Sequence, residues 1–169
     1  METLTHPFPP MFDAFSRVLI LGSFPSVKSR ETAFFYGHPQ NRFWRVLAAI
    51  LSEPVPESIP EKTALLLRRH IALWDVAAAC EITGSSDASI RAVVPNDFSP
   101  IFRAAEIRAV FCNGGTAYRY YEKFNNRGPA AAVVAAAVKL PSTSPANARW
   151  TLPMLTQAWG SAILPYLYL

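Results

Sequence analysis

Apolar residues in this chain alternate between short unbroken runs and longer stretches with helical spacing. Val18–Leu21 is an unbroken run of the kind that forms a parallel strand covered on both faces. Phe43, Val46, Leu47, Ile50 and Leu51 then follow the i, i+3, i+4, i+7, i+8 spacing of one helix face. Between them lies a long loop rich in aromatic and small residues. Most strand-to-helix connections are only a few residues long, so a loop of this length and chemistry requires a function.

The alternation continues downstream. Glu53–Pro60 holds three prolines and reads as a loop, Glu61–His70 as a helix and Ile71–Val76 as a second strand. A polar loop around Gly84–Ser86 is followed by a predicted short helix, then by a helix near Phe98–Ala105 capped by Asn96 or Asp97. Arg108–Asn113 reads as a third strand, ending in Asn113-Gly114-Gly115 ahead of an aromatic helix, Ala117–Phe124. The alanines of Ala130–Leu140 suit a helix, but its valines and its place before a proline-bounded loop favour a strand from Val133 onward. A final helix covers Leu152–Leu164. With no repeat and no linker, the pattern predicts one domain over residues 1–169. Its expected architecture is a three-layer α/β/α sandwich around a mainly parallel sheet of about four strands.

Composition narrows the class. A 169-residue chain buries about two-thirds of its unfolded surface, and 51% hydrophobic with 17% charged residues fits a globular protein. No apolar run reaches the roughly 20 residues of a membrane span. The start, METLTHPFPPMFDAF, lacks the basic and apolar regions of a signal peptide, so a cytoplasmic location is expected. The two cysteines, Cys80 and Cys112, are too few for an iron–sulfur cluster and form no zinc spacing. Neither a metal nor a cofactor is expected. Net charge is +4, with twelve arginines against four lysines, a modest excess that suits a polyanionic partner bound through phosphate forks.

Strand ends are then expected to converge on four groups: Ser23–Ser26, Asp75, Asn113–Gly115 and Ser142–Asn147. Ligands of open α/β sheets bind at the carboxyl ends of the strands. Gly22 and Ser23 allow close backbone approach there. Ser23 follows a strand, but the G-x-S-x-G elbow of serine hydrolases is missing.

Three blocks carry a resemblance: GSFPS (Gly22–Ser26), FYGHPQNRFW (Phe35–Trp44) and LPSTSPAN (Leu140–Asn147). In that order, and spanning Val18 to Asn147, they resemble the uracil-DNA glycosylase superfamily, most closely its hypoxanthine-DNA (deoxyinosine) glycosylase group. HPQNRFWRVL also resembles the mismatch-specific uracil/thymine glycosylases. The resemblance implies DNA containing a deaminated base as partner, the base flipped from the duplex, and hydrolysis of its N-glycosidic bond by a monomer. Such chemistry asks for an aromatic floor, edge-reading hydrogen bonds and phosphate clamps.

Two departures are informative. Phe24 stands where most of the superfamily has a water-positioning Asp or Asn, and Leu140 where it often has a His or Asn that donates to the leaving base. The resemblance to the hypoxanthine group places the catalytic amide at Asn41 instead. By residue type alone Asn41 is the cap of a helix starting at Arg42, and both roles can coexist.

Asp75 either caps the following segment or pairs with an arginine, or, by resemblance, reads the base: hypoxanthine offers an N1–H that a carboxylate accepts, whereas adenine has a bare N1. Phe35 and Tyr36 are candidates to stack on the base, with Phe24 closing the pocket, although aromatics are more often core. His38 is read as a packed or surface residue. Ser142, Ser144 and Asn147 suit a loop that enters the minor groove, with Arg149 and Lys139 near phosphate; the same residues also make ordinary turns. Asn113-Gly114-Gly115 either meets an anion or tightens a turn. Two alternatives are a uracil or xanthine glycosylase of the same fold and a non-catalytic nucleic-acid-binding module.

Overall fold

The structure is a computed structural model and describes residues 2–83, 90–125 and 137–168, without the side chains of Glu2 and Asn125. Four strands, β2 (Val18–Gly22), β3 (Ile71–Asp75), β6 (Ala109–Asn113) and β7 (Ala137–Leu140), form a parallel sheet in the order β3-β2-β6-β7. Every residue of β2 and β6 is buried, because helices cover both faces. On one face α2 (Phe43–Leu51), α3 (Ile59–Arg68) and α6 (Leu152–Leu167) bury Phe43, Leu47, Leu66, Trp159 and Ile163 against Val18, Ile20 and Phe111. On the other, α4 (Ser99–Ala104) and α5 (Gly115–Asn125) pack Ile101, Ala117 and Tyr121 against Leu19, Leu21 and Val110. This is the three-layer α/β/α arrangement expected from the sequence.

Helix α2 crosses α6 closely. A Cβ added to Gly160 would sit 3.3 Å from Ile50 Cγ2. Trp159, fully buried beside it, meets Phe43 edge-on at 5.8 Å and donates Nε1–H to the Pro141 carbonyl at 2.9 Å. One side chain thus ties both helices to the loop after β7.

Several elements differ from the sequence reading. Helix α2 begins at Phe43 rather than Arg42. The final helix runs past Pro165 to Leu167 rather than stopping at Leu164. Proline costs one backbone hydrogen bond there. The last turn is retained because Leu167 is buried, Tyr166 packs on Phe111 and Arg17 donates to the Leu167 carbonyl at 2.9 Å.

The loop after β2 contains a one-and-a-half-turn helix, α1 (Val27–Thr32), capped by Ser26. A second, antiparallel sheet, β1-β4-β5, was not expected; it joins β1 (Glu2–Thr5), β4 (Ala77–Ile82) and β5 (Arg91–Pro95). The loop expected around Gly84–Ser86 lies outside the described residues, as does the start of the short helix expected after it. Where the chain is described again, Arg91 onward is strand. Pairing with β4 decides this, and two register shifts along that pair erase the period-two pattern that would reveal it.

Both cysteines are buried, and burial together with the Glu122 charge pushes the Cys112 thiol up to about 12. Asp97 accepts from the Ser99 amide at 2.9 Å, which holds its carboxyl below the usual range; it, not Asn96, supports the start of α4. Among the described residues no helix is long and apolar enough to cross a membrane.

Trp159→Ala is expected to lower stability by about 3–5 kcal/mol in urea denaturation, as large core deletions do. Phe15→Ala, at a site 71% exposed, is expected to change it by less than about 0.5 kcal/mol.

Candidate active site

Parallel pairing brings the strand ends to one edge of the sheet. Gly22 is in register with Asp75, and Asn113 with Leu140. A cleft of about 1030 Å³ opens there, at the upper end of the range for ligand pockets. Its walls contain Gly22, Ser23, Phe24, Phe35, Tyr36, Asn41, Asp75, Ser142, Ser144 and Asn147, together with Asn113, Thr143 and Lys139. The four groups expected to converge do converge. Arg149 is exposed on the same loop but does not line the cleft.

Asn41 sits at the entrance to α2. Its Oδ1 accepts from the Phe43 amide at 2.9 Å, so it caps the helix from one position earlier than expected. The same oxygen accepts from the Thr143 hydroxyl, also at 2.9 Å. Thr143 is fully buried; its amide donates to Asn113 Oδ1 and its Oγ1 receives Asn113 Nδ2–H, both at 3.0 Å. The direction of this relay follows from two backbone amides. The Phe43 and Thr143 N–H groups can only donate, so each must face an amide oxygen. The Thr143 proton must then point to Asn41. Both lone pairs of Asn41 Oδ1 are occupied, and Nδ2 lies on the remaining side of a residue that lines the cleft.

The next residue, Arg42, binds the loop after β7. Its Nη2 donates to the carbonyls of Ser144 at 2.9 Å and Asn147 at 3.1 Å, its Nε to Thr143 at 3.4 Å and its Nη1 to Trp150. Within that loop the Ser142 hydroxyl accepts from the Ser144 amide at 3.1 Å, and Asn147 Nδ2 donates to the Ser142 carbonyl at 3.0 Å. These side chains therefore do turn work while lining the cleft. Gly114 has φ of +93°, and a Cβ there would lie 3.1 Å from Ser142 Cβ, so its glycine is required by conformation and space.

Asp75 is 4% exposed and lies over Gly22. A Cβ on Gly22 would meet Asp75 Oδ1 at 2.3 Å and Tyr36 Oη at 2.9 Å, so glycine gives the carboxylate and the phenol their shared place. Its other oxygen, Oδ2, is 2.8 Å from His6 Nε2. Asp75 does not cap a helix; its carbonyl accepts from Asn96 Nδ2 at 2.8 Å.

The two aromatic candidates occupy different environments. Phe35 is 2% exposed and wedged edge-on against Phe8 at 4.7 Å. Tyr36, with φ of +52°, stacks on Phe43 at 4.1 Å and stays partly exposed. A left-handed φ is uncommon for a bulky residue and concentrates at functional sites. Phe24, 8% exposed, packs on Ala77, Cys80 and Ile82, and the Arg30 guanidinium lies 5.8 Å above its ring. His38 is exposed and its Nδ1 accepts from the Gln40 amide at 3.1 Å.

Sequence reasoning missed His6, Arg42 and the Asn113–Thr143 relay. Thr143 lay inside a recognised block, but His6 is carried by a strand that only the second sheet explains. Among the described residues no group of three or more His, Cys, Asp or Glu could hold a metal.

The model of the uracil DNA glycosylase superfamily matches residues 9–167, and the chain belongs to that superfamily. It is 34% identical over 146 residues to a protein of Methanosarcina acetivorans named hypoxanthine DNA glycosylase, covering 85% of this chain and 89% of the relative. A Methanosarcina barkeri protein of the same name is 38% identical over 116 residues, 67% of this chain and 73% of the other. The fold is similar to the solution NMR structure of a candidate uracil DNA glycosylase from M. acetivorans, with a TM-score of 0.78 and 30% identity, over 95% of this chain and 96% of that one.

Arg42→Met removes the donors that hold four loop carbonyls, which costs about 1–3 kcal/mol of local stability. The expected result is faster hydrogen exchange at the Asn147 and Trp150 amides, whose bonds close the loop, with exchange in β2 and β6 unchanged.

Proposed function

We propose that this protein is a monofunctional DNA glycosylase that flips hypoxanthine out of the duplex and hydrolyses its N-glycosidic bond, leaving an abasic site. The observation that carries the mechanism is the Asn41 amide, held with its oxygen saturated. The two relatives named for hypoxanthine support the choice of base.

In the reaction the C1′–N9 bond breaks and its electron pair goes to the purine, while the sugar passes through an oxocarbenium-like state. Water adds to C1′ and loses a proton; the departing purine gains one. An amide oxygen with both lone pairs filled cannot take a hydrogen bond from that water. Asn41 therefore acts through Nδ2–H, donating to the negative charge that grows on the leaving purine. Its donors are fixed before the reaction begins, so little reorganisation is needed as charge develops.

Asp75 Oδ1 is the base-reading acceptor, taking N1–H of hypoxanthine and repelling the bare N1 of adenine. Tyr36 is favoured over Phe35 as the stacking ring, since Phe35 is sealed in the core. Phe24 closes the far wall. Gly22 and Ser23 keep the backbone close to the base. Ser142, Ser144 and Asn147 form the loop that supports the gap in the duplex, and Arg149 with Lys139 meets phosphate at its margin.

Asn41→Ala is expected to lower the single-turnover rate on an inosine duplex by about a hundredfold or more, the scale of losing one such donor, with duplex affinity retained. A near-normal rate rejects the assignment. Asp75→Asn is expected to narrow the preference for inosine over adenine by about tenfold or more, because an amide can rotate to donate where the carboxylate only accepts; an unchanged preference removes Asp75 from base reading.

A further inference from the structure

The buried contact between His6 and Asp75 is used by no step above. His6 does not line the cleft, so it cannot touch a base directly. It lies just beyond β1, where its amide donates to the Ala78 carbonyl at 2.7 Å. Pairing of β1 with β4 thus carries the imidazole across the molecule to a residue 69 positions away.

The imidazole is fixed in orientation and in proton position. The Phe8 amide donates to His6 Nδ1 at 3.4 Å, so Nδ1 keeps its lone pair and the ring proton resides on Nε2. That proton is donated to Asp75 Oδ2 at 2.8 Å. The Nε2–H tautomer satisfies both contacts. Aromatic neighbours hold the ring in place, with Phe8 at 4.6 Å, Phe24 at 5.9 Å and Trp74 at 6.3 Å, all edge-on. The side chains of His6 and Asp75 are only 4% and 5% exposed, so water does not compete for the bond.

From this geometry we infer that His6 is a positioning residue that sets base specificity through Asp75. The inference rests on the reading of Asp75 as the base-reading group. A carboxylate left alone could rotate about its Cβ–Cγ bond. With Nε2–H on Oδ2 it does not, and Oδ1 stays over Gly22 beside Tyr36 Oη. The contact accepts the N1–H of hypoxanthine and refuses adenine, whose N1 is bare, or a purine with that nitrogen methylated. The small antiparallel sheet acquires a purpose, since it delivers the histidine.

The test compares single-turnover excision of inosine and adenine from matched duplexes by the full-length wild type, His6→Phe, His6→Gln and Asp75→Asn. Phenylalanine keeps a ring but has no donor; glutamine restores an N–H at similar reach. His6→Phe is expected to slow inosine excision about tenfold or more and to narrow the gap to adenine, with duplex affinity unchanged, as loss of one hydrogen bond to a charged group would do. His6→Gln is expected to recover most of both. If Asp75→Asn changes the preference and His6→Phe does not, the role of His6 falls and base reading by Asp75 stands. If neither changes it, the reading of Asp75 falls as well.

Should His6→Phe fail to fold, ¹⁵N NMR of the wild-type ring decides. The expected state is the Nε2–H tautomer, with resonances that shift on adding hypoxanthine and not adenine. A proton on Nδ1 or no response to hypoxanthine overturns the proposal.

Discussion

The hydrogen-bond relay from Asn113 through Thr143 to Asn41 is the constraint on which the site depends. It joins the end of β6, the loop after β7 and the entrance of α2, three segments far apart in the chain. Its polarity is not a matter of choice. The backbone N–H groups of Phe43 and Thr143 each demand an acceptor, and that demand orients two side-chain amides and one hydroxyl. Because Asn113 and Thr143 are buried, each must be satisfied, and a half-satisfied version would be worse than an apolar one. Arg42 extends the same joint outward by holding four loop carbonyls. The residue proposed to act on the base and the loop proposed to support the opened duplex are consecutive parts of one assembly.

The two positions that lack the superfamily's usual polar groups are packing positions here. Phe24 belongs to the core between the cleft and the antiparallel sheet, and Leu140, 3% exposed, to the core beneath α2 and α6. Leaving-group stabilisation from Asn41 is compatible with both, because it places the only required donor on the third side of the cleft. Base reading by Asp75, with His6 behind it, then occupies the wall nearest Gly22.

Most of the main sheet was legible in the sequence because parallel strands buried on both faces are unbroken apolar runs, and Val18–Leu21 and Ala109–Cys112 stand out as such. Helix α2 was legible through its single apolar face. The antiparallel sheet was not, since β4 follows β3 after one residue and reads as part of the same run, while β5 is largely exposed. The short helix α1 was hidden because its six residues carry no apolar periodicity; a serine cap and the Ser29–Gly37 bond hold it. Site residues were legible where they sat in blocks, as with Asn41 and Ser142. His6–Asp75 and Asn41–Thr143 were not, being 69 and 102 positions apart, contacts that only the folded topology creates.

With the roles proposed for Asn41 and Asp75, a donor amide and an acceptor carboxylate, the enzyme releases hypoxanthine and refuses adenine. The most direct measurement is a single-turnover panel on otherwise identical duplexes bearing inosine, xanthine, uracil or adenine, with abasic sites revealed by alkaline cleavage. Rapid release from the inosine duplex and none from the adenine duplex is the expected result. Retained duplex binding with no cleavage of any of the four, or uracil released faster than hypoxanthine, would contradict it.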